Sequence, residues 1–173
     1  MEALAISAAV VALIALLFSY SLSSWTGKVD VGTEKVRELS GFIMESAMAF
    51  LKREYKAMIP VILALSMIIG FVINWTMAAL YLIGVLFSAL AGFFGMKTAV
   101  KGGARTADAA MNGGLNQALK VAFRSGSTAG LCVAGLGLLG IGGVFAVMGT
   151  KTFAVVAGFG LGAATAALFF RLS

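Results

Sequence analysis

Histidine is absent from the 173 residues, and there is one cysteine, Cys132, and one proline, Pro60. A single cysteine closes no disulfide within the chain, and without histidine a Cys/His metal site is excluded. Cys132 lies in an apolar run, where a thiol behaves as a small buried hydrophobe. A chain with one proline has few long irregular loops. Charge is scarce too, at 12% of residues, where an average soluble domain has about 25%. Acids are scarcest, seven against 13 basic residues, for a net charge of +6. Glu2, Asp30, Glu34, Glu38, Glu45, Glu54 and Asp108 are scattered through loops and helix ends. The pairs at i, i+4 spacing, Asp30/Glu34 and Glu34/Glu38, fall in a charged linker and read as solvated surface. Metal-assisted hydrolysis of a phosphate compound needs several convergent carboxylates. None converge here and no nucleophile stands beside a base, so neither a catalytic nor a metal-binding residue is expected. A cleavable signal peptide is not expected either, because Glu2 precedes the first apolar run and no basic segment leads it.

What the chain has instead is apolar surface. Hydrophobic residues make up 61% and the mean hydropathy is +1.03. A membrane-spanning helix needs roughly 20 mostly apolar residues, and several runs meet that length. The expectation is an all-α, polytopic transmembrane bundle forming one region over residues 1–173. Its five helices fall at about 3–22, 41–73, 77–110, 115–148 and 152–172. A polar linker, Ser23–Ser40, follows the first helix. The second begins amphipathic, with Glu45, Lys52, Arg53, Glu54 and Lys56 among apolar residues, and meets Pro60 where it turns apolar. Short turns are expected at Asn74-Trp75-Thr76 and Gly149-Thr150-Lys151. The stretch Ser88–Leu131 carries a basic loop between two apolar runs. Together with the linker and the amphipathic start of the second helix, it holds eleven of the 13 basic residues. The positive-inside rule puts both charged loops in the cytoplasm and the N-terminus outside. No basic surface interleaved with aromatics argues for a nucleic-acid partner.

Glycine is frequent, at 22 residues. In a bilayer, helices associate by close packing, which small residues permit. Gly158 and Gly162 form a GxxxG pair. Gly126 and Gly130 are four apart on one helix face and are expected to pack against a neighbouring helix. Phosphate-loop readings fail, because GxGxxG and GxxxxGK[ST] need a preceding strand and no strand is expected. On residues alone the function stays open. A complete small transporter or channel subunit, or a non-catalytic scaffold oligomerising through its glycine-rich helices, fits equally.

Four stretches add to this. ESAMAFLKREYK (Glu45–Lys56), SALAGFFGMKTAVKGGART (Ser88–Thr106), LKVAFRSGSTAGL (Leu119–Leu131) and GFGLGAATAALFFR (Gly158–Arg171) resemble, in order and spacing, segments of the membrane-bound, ion-pumping inorganic pyrophosphatases. Gly103 stands where that family usually has asparagine, Ala164 and Thr165 where a Ser-Ser pair is common, and Ser173 where a glycine run usually begins. The resemblance implies an N-terminal fragment of a larger pump, four peripheral helices and the start of one core helix. It implies a multi-pass protein of the cell membrane that works as a homodimer. The full-length protein would hydrolyse pyrophosphate with Mg2+, in some members with K+, and move H+ or Na+ outward. The pyrophosphate- and magnesium-binding residues would lie beyond this stretch, so the fragment alone is expected to be inactive. Arg171 matches an arginine the family places in its ion-translocation route. On residues alone Arg171 also reads as a flanking cation. It lies roughly 28 Å from Thr152 along a helix, near the edge of a ~30 Å hydrocarbon layer, where it can snorkel. A buried Arg171 would need a partner, and no carboxylate of this chain is expected at its depth within an apolar run, so the partner would come from helices beyond this stretch.

Overall fold

The computed structural model describes residues 2–29, 31–148 and 153–172, and the side chains of 6–29, 31–146 and 156–170 among them. Four helices cover them: α1 (Glu2–Lys28), α2 (Glu34–Val72), α3 (Trp75–Met148) and α4 (Phe153–Leu172), with no strand among the described residues. The charged linker expected over 23–40 is largely helical, because α1 runs on to Lys28 and α2 starts at Glu34. Glutamate, lysine and arginine are good helix formers once outside the hydrocarbon. α2 continues through Pro60, as membrane helices permit.

α3 is two helices joined at one residue. Gly114 has φ 74° and ψ −178°, a backbone region open in practice only to glycine. The loop expected over 110–116 shrinks to that residue, and the arms 75–113 and 115–148 fold back on each other. Close to the break, a side chain at Gly113 would strike Gln117. Farther along, the Ser125 hydroxyl donates to the Thr98 carbonyl at 3.2 Å. Pairs widening in sequence away from Gly114 mark an antiparallel hairpin. At its other end, the first arm starts from Asn74, whose Oδ1 accepts the Met77 N–H at 2.7 Å, an N-cap. Trp75, expected in a turn, is the first helical residue.

The first arm is the centre of the bundle. α2 runs antiparallel to it: Trp75 packs at Gly70 and the Tyr55 hydroxyl donates to the Ala89 carbonyl at 2.9 Å. α4 runs parallel to it, with Gly158 beside Met77 and Phe170 beside Gly92. Met58 and Ile62 of α2, Tyr81 and Val85 of the first arm, and Ala166 of α4 form the core between them.

α1 lies outermost. Its buried positions Ala12, Ser19 and Thr26 recur every seven residues, a narrow seam of small side chains. The Ser19 hydroxyl donates to the Thr128 carbonyl on the second arm at 2.8 Å, and Leu16 and Ala12 approach Gly135. Ile6, Val10, Leu13, Ile14, Leu17, Phe18 and Tyr20 point outward, the surface a helix presents to lipid. Hydroxyls within the helices bond back one turn: Thr26 to Leu22 O at 3.0 Å, Thr128 to Arg124 O at 2.8 Å and Thr165 to Leu161 O at 2.8 Å. That satisfies them where water is absent.

Candidate functional site

The two charged segments, far apart in sequence, meet at one end of the bundle. Arg105 on the first arm donates through Nε to Val29 O at 2.9 Å, through Nη2 to Gly27 O at 3.2 Å and through Nη1 to Lys101 O at 2.9 Å. The last carbonyls of a helix have no intrahelical partner, so one guanidinium closes the end of α1 and ties it to the hairpin. The Arg124 guanidinium lies 3.8 Å from the Trp25 ring centroid, a cation–π contact. Beneath it Ala109, Ala118 and Val121 pack with Trp25 and Val29. Gly32, between α1 and α2, has φ 78°, and any side chain there would strike the Asp108 carboxylate. Asp108 also accepts the Asn112 amide at 2.8 Å. No local signal in the sequence marks Trp25 or Arg105 for these roles, because their partners lie on other helices.

A second polar layer sits deeper. Leu51, Glu54, Met58, Ile62, Ser66 and Gly70 form the buried face of α2, so Glu54 is carried inward by helical periodicity. Its neighbour Tyr55 stacks edge-on with Phe170 of α4 at 5.8 Å. Arg171 follows Phe170 in α4, and its side chain lies outside the described residues. The backbone register sets Arg171 and Glu54 at similar depth. Glu54 belongs to the charged stretch Lys52–Lys56 and so stands outside the expectation, which concerned carboxylates within apolar runs. Among the charges of this amphipathic start, Glu54 lies on the packed face.

The glycines divide. Side chains at Gly158 or Gly162 would run into the backbone of the first arm at Met77 and Tyr81, and one at Gly84 into Phe159 of α4. For Gly126 and Gly130 the expected helix contact is not made among the described residues. A methyl group at either meets no atom within 4 Å, and both are exposed. The packed face of the second arm runs instead through Val121, Ser125, Thr128 and Gly135, rotated away from them. The turn expected at Gly149-Thr150-Lys151 lies outside the described residues.

Magnesium needs carboxylates gathered at one point. Among the described residues no three of His, Cys, Asp or Glu group to hold a metal ion; Asp108 and Glu54 belong to different layers. The residues present do not fit a Mg2+ site, and no step through Mg2+ is derived for them. What this end of the bundle offers is a basic, well-anchored surface at the limit of the apolar spans.

Among the proteins similar to this chain are three ion pumps. A Clostridium tetani protein that carries the name of a K(+)-stimulated pyrophosphate-energized sodium pump is 40% identical over 172 residues, 99% of this chain and 25% of that protein. A K(+)-insensitive pyrophosphate-energized proton pump of Methanosarcina mazei is 38% identical over 173 residues, 99% of this chain and 25% of that one. A K(+)-stimulated pyrophosphate-energized sodium pump of Thermotoga maritima is 35% identical over 138 residues, 79% of this chain and 19% of that pump. The chain thus spans about a quarter of the length of the first two. Residues 13–173 match the family described as inorganic H+ pyrophosphatase. With that match across nearly all of an integral, multi-pass helical bundle, the chain belongs to the inorganic H+ pyrophosphatase family.

Proposed function

We propose that this chain is the N-terminal part of an ion-translocating membrane pyrophosphatase, in which pyrophosphate hydrolysis drives H+ or Na+ across the membrane. The observation that carries this is the family match over residues 13–173, in a chain that spans 25% of its Methanosarcina mazei relative. Here α1, α2 and the α3 hairpin form peripheral helices, and α4 begins the core that surrounds the ion path. Hydrolysis uses Mg2+ held by residues outside this chain, where the metal would neutralise the charge of pyrophosphate. The complete pump is a homodimer. Its charged end faces the cytoplasm and its N-terminus lies outside, as the basic residues crowded at one end support. Arg171 belongs to the ion path, with Glu54 at its depth.

The reading frame after Ser173 tests the reading first. A continuation carrying aspartates and lysines beyond a glycine run is expected, and a genuine stop codon overturns it. In proteoliposomes the full-length protein should then accumulate H+ or Na+ when pyrophosphate and Mg2+ are added. Hydrolysis without ion uptake would separate this chain's family from the coupled function.

A further inference from the structure

One cleft in the molecule has a polarity that runs along its length. It measures about 480 Å³ and lies between α1 and both arms of α3. α1 lines it with Leu16, Ser19, Tyr20 and Ser23, the first arm with Phe94, Lys97, Thr98 and Lys101. In each helix those positions follow i, i+3, i+4, i+7, one continuous face. Thr128, Cys132 and Leu136 of the second arm complete it.

Directions along the three helices order these residues by depth. α1 and the first arm run toward the charged end, and the second arm runs away from it. Leu16, Phe94 and Leu136 therefore form the deep end, and Ser23, Lys101 and Thr128 the rim. Lys97, Thr98, Ser19 and Cys132 lie between. The cleft changes from apolar to hydroxyl-lined to cationic over about 10 Å of helix. Its rim coincides with the end of the uncharged run of α1, which stops before Lys28. Its lining includes two lysines and no acid. Lys97 holds its Nζ 5.8 Å from the Phe93 ring centroid, a loose contact at an exposed site, while the nearby arginines are committed to Trp25 and to the end of α1. Among the described residues α1 packs only on α3, and neither α2 nor α4 lines the cleft.

We propose that this cleft binds one anionic phospholipid of the leaflet at the charged end of the bundle. The acyl chain lies along Leu16, Phe94 and Leu136, and the phosphate meets the Lys97 and Lys101 ammoniums at the rim. Basic pockets between membrane helices hold anionic headgroups in this way, and lysine stems cover apolar surface while their charge stays at the interface. A covering protein helix would have to bring acids to this rim, whereas an anionic lipid brings the charge itself. The inference holds whichever ion the complete protein moves.

Native mass spectrometry of the full-length protein, extracted in mild detergent, tests it with dioleoylphosphatidylglycerol and dioleoylphosphatidylcholine as probes. Retention of phosphatidylglycerol over phosphatidylcholine is expected. The Lys97→Gln/Lys101→Gln variant should lose affinity for it by roughly thirty-fold. Lys97→Arg/Lys101→Arg should retain it, and Lys28→Gln/Lys35→Gln, which removes equal charge from the same end, should leave it little changed. Equal retention of both lipids, or unchanged retention in the glutamine variant, would overturn the site and leave the cleft to another part of the protein. Displacement of the lipid by sn-glycerol 3-phosphate alone would overturn it as well, because it would show a free-phosphate site.

Discussion

Tyr81 places a hydroxyl in the core between α2, α3 and α4. The residue is fully buried, and among the described residues its oxygen has no hydrogen-bond partner. A buried, unsatisfied hydroxyl costs about 1–3 kcal/mol, so Tyr81→Phe is expected to raise the thermal stability of the full-length protein. A fall in Tm would show that another part of the protein supplies a partner. Arg171 and Glu54 make a second case. Arg171→Ala and Arg171→Lys should impair pyrophosphate-driven ion transport more than membrane insertion, and normal transport by the alanine variant would leave only a snorkelling role. If the two residues act as a pair, Glu54→Gln and Arg171→Gln should be non-additive by roughly 0.5–3 kcal/mol. Strict additivity in a double-mutant cycle would reject the pairing. The burial of Glu54 was not legible in the sequence. Acids and bases alternate with apolar residues through this part of α2, and only the position of the first arm decides which of them faces inward.

Single glycines set how closely some helices here approach one another. Gly114 turns α3 back on itself in a conformation other residues avoid. Gly114→Ala should cost about 1–3 kcal/mol, seen as a lower Tm and easier proteolysis near the hairpin tip; unchanged values of both would mean that the turn tolerates a side chain. Gly162 lets α4 touch the backbone of the first arm, and Gly162→Leu should lower the yield of folded protein by forcing the two apart. Equal yield would show that α4 is held elsewhere. That the chain folds as a bundle of long apolar helices was readable from run length and hydropathy. Their ends were less so, because Asn112, Gly113 and Asn116 are turn residues by type, yet only Gly114 leaves the helix. The facing of the second arm was not readable. In a helix apolar on every side no periodicity names the packed face, and Ser125 and Thr128 take the contacts that the spacing of Gly126 and Gly130 suggests.

At the scale of the whole molecule, the two charged segments behave as one body. Arg105, Arg124 and the Gly32–Asp108 contact lock them together at one end, so they must lie on the same side of the membrane. Cysteine placed at position 75 should react with an impermeant reagent added outside sealed cells, and at position 108 it should not. The reverse pattern would invert the topology, and reaction at both would break the single-end arrangement. Within this body α1 packs on α3 and, among the described residues, on neither α2 nor α4. The bond between Ser19 and Thr128 joins positions 109 residues apart. At roughly 5–20 residues per second of synthesis, α1 waits in the bilayer for about 5–20 seconds before the second-arm partner of that bond has been made. The narrow seam of alanine, serine and threonine suits that wait. A strongly polar seam would be costly to leave facing lipid and would invite the wrong partner, whereas small side chains are inconspicuous until the second arm arrives and then fit closely against it.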